Sequence, residues 1–92
     1  MFFNKKNTFD DKVWFSKREA RFHCVNDLIS RKLIIGLSKD EVLHFLGDEF
    51  NDLNSDKWSF YLGYKHRFIN LKRYNLIVYF NKNGLVYNVS IA

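Results

Sequence analysis

The chain has 92 residues, of which 47% are hydrophobic and 18% are aromatic, and this is material for one domain with its own core. A single cysteine excludes an internal disulfide. The formal net charge of +5 favours acidic partners, which include nucleic acid, an anionic membrane and an acidic protein surface. No apolar run approaches the roughly 18 residues of a membrane span, so we expect no span.

Residues 1–15 are predicted to form an N-terminal arm, and residues 16–92 a single domain. The first residues become polar at Asn4 and charged at Lys5, which leaves no apolar region of a signal peptide. We therefore expect a cytoplasmic protein if Met1 is the native start. If it is not, the cell envelope is the alternative.

The first predicted helix opens with a capping box at Ser16 and Glu19. Gly36 supplies the left-handed residue that would end it. Between these points the apolar side chains recur at helical spacing and form one stripe, which consists of Phe22, Val25, Leu28, Ile29 and Leu33.

The second predicted helix repeats this chemistry. Ser38 is the expected N-cap, Glu41 stands at the third helical position, and Gly47 ends the helix. Its buried stripe is predicted to contain Val42, Phe45 and Leu46. Residues 36–42 are thus a junction at which one helix stops and another begins.

After the polar loop 48–56 the hydrophobic period changes from 3.6 to 2, which predicts strands at residues 57–64, 74–80 and 85–91. Asn83 and Gly84 tolerate positive φ and predict a hairpin between the last two strands. The inward faces are predicted to carry Trp58, Phe60, Leu62 and Tyr64, then Leu76, Val78 and Phe80, then Leu85, Tyr87, Val89 and Ile91. Residues 65–73 fit either a long loop or a fourth strand through 68–71.

These elements predict an α+β fold, with two N-terminal helices packed on one face of a three- to four-stranded antiparallel sheet in the order α-α-β-β-β(-β). The opposite, outer face of the sheet would then be unusually aromatic and apolar for a solvated surface. It is expected to carry Tyr61, Ile77, Tyr79 and Val86.

Four segments together resemble the SmpA/OmlA (BamE-like) domain, a fold unit duplicated in the β-lactamase inhibitor protein. They are residues 36–42 (GLSKDEV), 45–47 (FLG), 58–61 (WSFY) and 76–86 (LIVYFNKNGLV). The resemblance covers about residues 16–91. It implies a non-enzymatic protein that presents its sheet or loops to another protein. Members of that family are typically exported, whereas this chain shows no signal and carries Cys24 inside the first helix.

No pattern of residues predicts catalysis, a metal site or a cofactor. Cys24 is interpreted as a packed core residue, with a nucleophile assisted by His44 or His66 as the alternative. Residues 52–56 imitate the start of a calcium loop. However, Lys57 replaces the turn glycine and Gly63 the bidentate glutamate, so a turn with Asx caps is the better interpretation.

Residues 64–68 (YKHRF) and 72–74 (KRY) interleave cations with rings. Such a segment fits a solvated loop, a nucleic-acid surface or a contact with an acidic protein. We expect a non-catalytic protein-binding module, an inhibitor or immunity protein that masks a partner such as an interbacterial toxin. The alternatives are an envelope-assembly accessory of the BamE-like kind and a small nucleic-acid-binding protein. The candidate contact residues are Trp58, Tyr61, Tyr64, Arg67, Arg73, Tyr74 and Tyr79.

Overall fold

A computed structural model describes residues 8–67 and 70–92 and confirms the predicted α+β class. The elements are α1 (Asp11–Ser16), a 3-10 turn (Arg18–Ala20), α2 (Arg21–Ser30), α3 (Lys39–Leu46), β1 (Lys57–Arg67), β2 (Asn70–Phe80) and β3 (Val86–Ile91). The three strands are antiparallel in the order β1-β2-β3. None of the helices in the described ranges is long and apolar enough to cross a membrane.

The ambiguous segment 65–73 belongs to the two long strands. Residues 65–67 end β1 and residues 70–73 begin β2, so within the described part it is neither a long loop nor a separate fourth strand. Residues 68 and 69, on which the fourth-strand alternative partly rested, lie outside the described residues. β1 and β2 are each 11 residues long.

The core lies between the helices and the inner face of the sheet. The strands contribute fully buried side chains at Trp58, Phe60, Leu62, Leu76 and Val78, and the helices at Val25, Leu28, Val42 and Leu46. The apolar stripes that the sequence predicts in both helices therefore face the core. Tight packing of large side chains on two layers stabilises a domain of this size without disulfides.

Part of the segment predicted as an N-terminal arm is a helix packed in the core. Asp10 caps α1, and Trp14 is fully buried, with its Nε1 donating to the Leu46 carbonyl at 3.0 Å. Ser16 ends α1 and does not cap the next helix, since its Oγ donates to the carbonyl of Lys12. The capping box predicted at Ser16 is therefore absent, and α2 begins at residue 21 after the 3-10 turn.

The end of α2 also differs from the prediction. The helix stops at Ser30, and Lys32 takes the left-handed conformation with φ of 52°. The amide of Lys32 donates to the Ile29 carbonyl and that of Leu33 to the Leu28 carbonyl, which is a Schellman motif.

Gly36, expected to end α2, instead shapes the junction into α3. Its φ is 87°, and its amide donates to the Val86 carbonyl at 2.8 Å. The Val86 amide in turn donates to the Leu37 carbonyl at 2.9 Å. The junction at residues 36–38 is therefore bonded to the start of β3.

The capping box of α3 is confirmed. Ser38 Oγ accepts from the Glu41 amide at 3.2 Å, and Glu41 Oε1 accepts from the Ser38 amide at 2.9 Å. The helix ends at Leu46, and Gly47 has a φ of 83° as predicted. Local sequence determines this helix at both ends.

Two β-bulges correct the predicted faces. In β1 the pairing steps from Tyr61 to Gly63, so Leu62 is the extra residue and Tyr64 turns to the outer face. In β3 the pairing steps from Val86 to Asn88. Val86 is consequently buried on the inner face, whereas Tyr87 turns outward and is 58% exposed.

Candidate functional site

A cluster of cations and rings lies on the outer face of the sheet, on β1, β2 and the neighbouring 3-10 turn. It consists of Arg18, Tyr61, Tyr64 and Arg73, and we call it the Tyr61 cluster. The guanidinium carbons of Arg18 and Arg73 lie 4.7 Å and 5.2 Å from the centroid of the Tyr61 ring. The Tyr64 ring meets the Tyr61 ring edge to face at 6.4 Å. These distances are those of cation–π and aromatic pairs.

The bulge at Leu62 creates the cluster. Without it, alternation along β1 would place Tyr61 and Tyr64 on opposite faces. With it, Tyr64 pairs with Arg73 across the strands, on the same face as Tyr61. Tyr64 is 56% exposed, so most of its ring is available to a partner.

A buried arginine, Arg21, holds together the elements that carry the cluster. Arg21 is only 3% exposed and donates to the carbonyls of Trp14 and Tyr61 at 2.8 and 2.9 Å, and also to the Glu49 carboxylate. Its guanidinium lies 4.1 Å from the Trp14 ring centroid. Because a buried charge is stable only when its hydrogen bonds are made, Arg21 locks α1, the 48–51 loop and β1 together.

The charges around the cluster are unequally paired. The Glu49 carboxylate forms ion pairs with both Arg21 and Arg18. The Nη2 atom of Arg18 lies 3.6 Å from that carboxylate. Arg73 has no carboxylate within salt-bridge distance among residues 8–67 and 70–92, and its Nε donates to the Asn75 amide oxygen at 3.3 Å. Arg73 is exposed and, unlike Arg18, makes no ion pair among the described residues, so its charge is available to an acidic partner.

A loop at residues 48–51 borders the cluster. Glu49 and Phe50 both have left-handed backbones, with φ of 44° and 61°. Phe50 is fully exposed at the tip. The loop is held by Asn51, whose side chain bonds the amide and carbonyl of Ser59 at 2.9 Å each. Together the loop and three members of the cluster, Arg18, Tyr61 and Arg73, line a concavity of about 600 Å³.

The candidate contact residues do not form one surface in the structure. Tyr61, Tyr64 and Arg73 come together in the cluster, and Arg67 lies in the same strand pair with its side chain outside the described residues. Tyr79 is also on the outer face but packs near Tyr87 at the opposite end, with ring centroids 6.3 Å apart.

Two candidates do not belong to this surface. Trp58 is fully buried against Phe80 and cannot contact a partner in the folded protein, which corrects the prediction. Tyr74 lies half-buried on the inner face, where its ring meets Phe22 at 5.5 Å. The outer face was also expected to include Val86, which the second bulge turns inward.

The residues considered for chemistry have structural roles. Cys24 is buried and its Sγ donates to the Arg21 carbonyl at 3.4 Å, as expected of a packed cysteine. Burial raises the pKa of the Cys24 thiol, which disfavours the nucleophilic thiolate. Asp52 Oδ1 accepts from the Asn54 amide at 3.0 Å, the Asx turn predicted there. The described residues contain no group of three or more potential metal ligands.

Sequence reasoning missed the contributions of Glu49 and Phe50. Residues 48–51 read as a solvated acidic loop, because neither the left-handed backbone nor the bonds to β1 follow from local pattern. The place of Arg18 beside Tyr61 depends on the packing of the 3-10 turn against β1, which local pattern does not predict.

No protein-family model matches this chain, and a search of curated proteins returns no match.

Proposed function

We propose that this protein is a non-catalytic binding module whose Tyr61 cluster contacts an acidic surface of another protein. The observation that carries the proposal is the cluster itself, in which two paired strands present an exposed tyrosine and an arginine that has no carboxylate partner among the described residues. Tyr and Arg are the residues that most often dominate binding energy at interfaces. Because their positions are fixed by strand pairing and by Arg21, little conformational entropy is lost on binding.

Within this class we propose an inhibitor or immunity protein that masks a partner, such as a toxin of interbacterial competition. The resemblance of residues 16–91 to the SmpA/OmlA (BamE-like) and β-lactamase inhibitor fold supports this reading. A protein that masks a partner needs a preformed contact surface and no catalytic group. The Tyr61 cluster is a surface of this kind. An envelope-assembly accessory of the BamE-like kind would use the same kind of surface.

The experiment compares matched variants in quantitative pull-downs from the native host. Tyr64→Ala removes a ring that is 56% exposed in the cluster, and Tyr87→Ala removes one that is 58% exposed at the other end of the same face. Arg73→Glu reverses a charge in the cluster, and Lys82→Glu reverses one in the distant hairpin loop.

The wild type is expected to retain a protein partner near equimolar ratio. Tyr64→Ala and Arg73→Glu should each weaken binding of that partner at least tenfold, which is about 1.4 kcal/mol. Tyr87→Ala and Lys82→Glu should bind as the wild type does. If no partner is retained, or if both members of a pair weaken binding equally, the proposal fails.

A single-stranded nucleic acid is the second candidate, because cations lie over rings on both faces of the extended strand pair. On the inner face Lys65 Nζ lies 4.3 Å from the Phe22 ring and Lys72 Nζ 4.9 Å from the Tyr74 ring. Such a binder should lose affinity steeply with salt, and replacing Arg67 and Arg73 should flatten that dependence. Absence of binding to RNA and DNA at low salt eliminates this candidate.

A further inference from the structure

The two edges of the sheet are treated differently. From Lys57 to Tyr61 the outward backbone groups of β1 belong to Lys57, Ser59 and Tyr61, since Trp58 and Phe60 turn theirs toward β2. Side chains close this part of the edge. Ser55 bonds both groups of Lys57, Asn51 both groups of Ser59, and Glu49 and Arg21 the two groups of Tyr61.

The β3 edge is closed only at its start. The bonds between Asn75 and Ala92 show that residues 88, 90 and 92 turn their backbone groups toward β2. The outward groups are therefore those of Val86, Val89 and Ile91. Val86 is bonded to the helix junction at Gly36 and Leu37. Val89 and Ile91 have no partner for these groups among residues 8–67 and 70–92.

The open segment has the character of a pairing strand. Residues 85–92 contain no charged residue and no proline, the usual protections of a free edge. The long β-branched side chain of Ile91 is 37% exposed. Along the first half of β3 lies a groove of about 260 Å³, which is lined by Ile29, Lys32, Ile35, Tyr87, Asn88 and Val89.

We propose that β3 pairs with β3 of a second copy of this chain, antiparallel across a two-fold axis at Ser90, to form a continuous six-stranded sheet. The spacing of the open groups selects this register. With the axis at Ser90, Val89 of each copy stands opposite Ile91 of the other, and each such pair exchanges both backbone hydrogen bonds.

The side chains fit the same register. Val89 and Ile91 lie on the inner face, opposite Val78 and Leu76 of β2. In the dimer each Ile91 would therefore lie beside Val89 of the other copy, and Val89 lines the groove together with Ile29 and Ile35. Because the strand itself is uncharged, no like charges oppose each other along the ladder. The pairing does not involve the Tyr61 cluster and is independent of the proposed function.

Analytical ultracentrifugation of the full chain, from micromolar to millimolar concentration, tests the pairing. The wild type should convert from monomer to dimer. Ser90→Lys places two ammonium groups directly opposite each other at the axis and should weaken the dimer at least tenfold. Ser59→Lys adds the same charge to the same face at β1 and should leave the dimer unchanged.

Cross-linking tests the register. Ser90 of one copy would stand opposite Ser90 of the second copy in a non-hydrogen-bonded pair. Their Cα atoms would be about 4.5 Å apart, a distance that a disulfide can span. Ser90→Cys should therefore give a disulfide-linked dimer under mild oxidation. Asn88→Cys lies on the same face but about 13 Å from its counterpart in this register, so it should not cross-link.

The native Cys24 is buried and serves as the background in both cysteine variants. A wild-type chain that stays monomeric throughout the range overturns the proposal. A dimer that Ser90→Lys and Ser59→Lys weaken equally also overturns it, as does cross-linking of Asn88→Cys as efficient as that of Ser90→Cys.

Discussion

At the scale of single residues, left-handed backbone at side-chain-bearing positions occurs in two places in the described part of the chain, Lys32 after α2 and Glu49 with Phe50 beside the Tyr61 cluster. Such a conformation costs about 1–2 kcal/mol for a residue with a Cβ. At Lys32 a tight helix end requires it, because the Schellman bonds form only there. At Glu49 the carboxylate bonds to Arg21 and to the Tyr61 amide hold it.

Replacing Lys32 with glycine should stabilise the protein by about 0.5–1 kcal/mol. The gain is the relief of the left-handed strain, reduced by the greater entropy of glycine in the unfolded chain. Urea unfolding measures it as a higher midpoint with an unchanged slope. Lys82→Gly is the matched control, because Lys82 is not among the positive-φ residues, and it should lower stability by about 0.4–1 kcal/mol. Equal effects of the two changes would contradict the assigned strain.

Cys24 should make stability depend on alkaline pH. Burial raises the pKa of its thiol in the folded state, so the unfolded state loses the proton first as pH rises. Its contribution is fully present below about pH 8.5, the ordinary pKa of cysteine, and is lost above it at up to about 1.4 kcal/mol per pH unit.

Cys24→Ala tests this contribution by urea unfolding at pH 7 and at about pH 9.5. The variant should be less stable at pH 7, because a cavity replaces the sulfur. The difference between wild type and variant should shrink at the higher pH. A difference that stays constant would show that the thiol is not linked to folding.

At the scale of elements, the closure of the β1 edge is the feature that local sequence pattern does not reveal. Asn51 and Glu49 stand where a fourth strand would stand, and their side chains supply the bonds such a strand would make. A sheet edge closed in this way resists pairing with another chain. The same bonds hold the loop and thereby set the position of Glu49 against Arg18 and Arg21.

Asn51→Ala should lower the free energy of unfolding by about 1–2 kcal/mol, because it removes the side-chain bonds to Ser59 and to the Asp48 carbonyl. Hydrogen exchange gives the specific readout, since the Ser59 amide should exchange much faster in the variant. Asn54→Ala is the control, because Asn54 is exposed and bonds Asp52 through its backbone amide. Unchanged protection of Ser59 in Asn51→Ala would contradict the closure.

The strands also show how far hydrophobic alternation predicts a sheet. Alternation identified β1, β2 and β3 and the inward residues Trp58, Phe60 and Leu76, because these lie in regular stretches of the ladder. It assigned Tyr64 and Tyr87 to the wrong face. Tyr64 follows the bulge in β1, and Tyr87 is the extra residue of the bulge in β3. One extra residue in a strand moves every later side chain to the opposite face. The bulges are determined by pairing with β2, which the sequence of one strand does not contain.

At the scale of the whole molecule, local sequence pattern does not reveal contacts between distant parts of the chain, and the candidate site was therefore predicted only in part. Tyr61, Tyr64 and Arg73 were recognised by residue type, but Trp58 was included with them although it is fully buried. Composition identifies rings suited to binding and does not say which of them the core uses. The α3 capping box and Gly47 were predicted correctly because their bonds join residues close in sequence.

The N-terminal boundary is the clearest case of a long-range determinant, and it can be tested. Trp14 is fully buried, donates to Leu46 and stacks with Arg21, so residues predicted as an arm are part of the core. Trp14→Ala should cost about 3–5 kcal/mol. Phe15→Ala, next to it in α1 but 50% exposed, should cost about 1 kcal/mol.

A chain that begins at Lys17, close to the predicted domain start, extends this test to the whole molecule. It lacks α1 and leaves the Leu46 carbonyl and one face of Arg21 without their partner, so it should show no cooperative urea transition and little dispersion of its amide resonances. The wild type should unfold in one step. If the shortened chain unfolds cooperatively with a stability within about 1 kcal/mol of the wild type, α1 is an accessory to the fold and the domain begins near residue 16, as the sequence predicts.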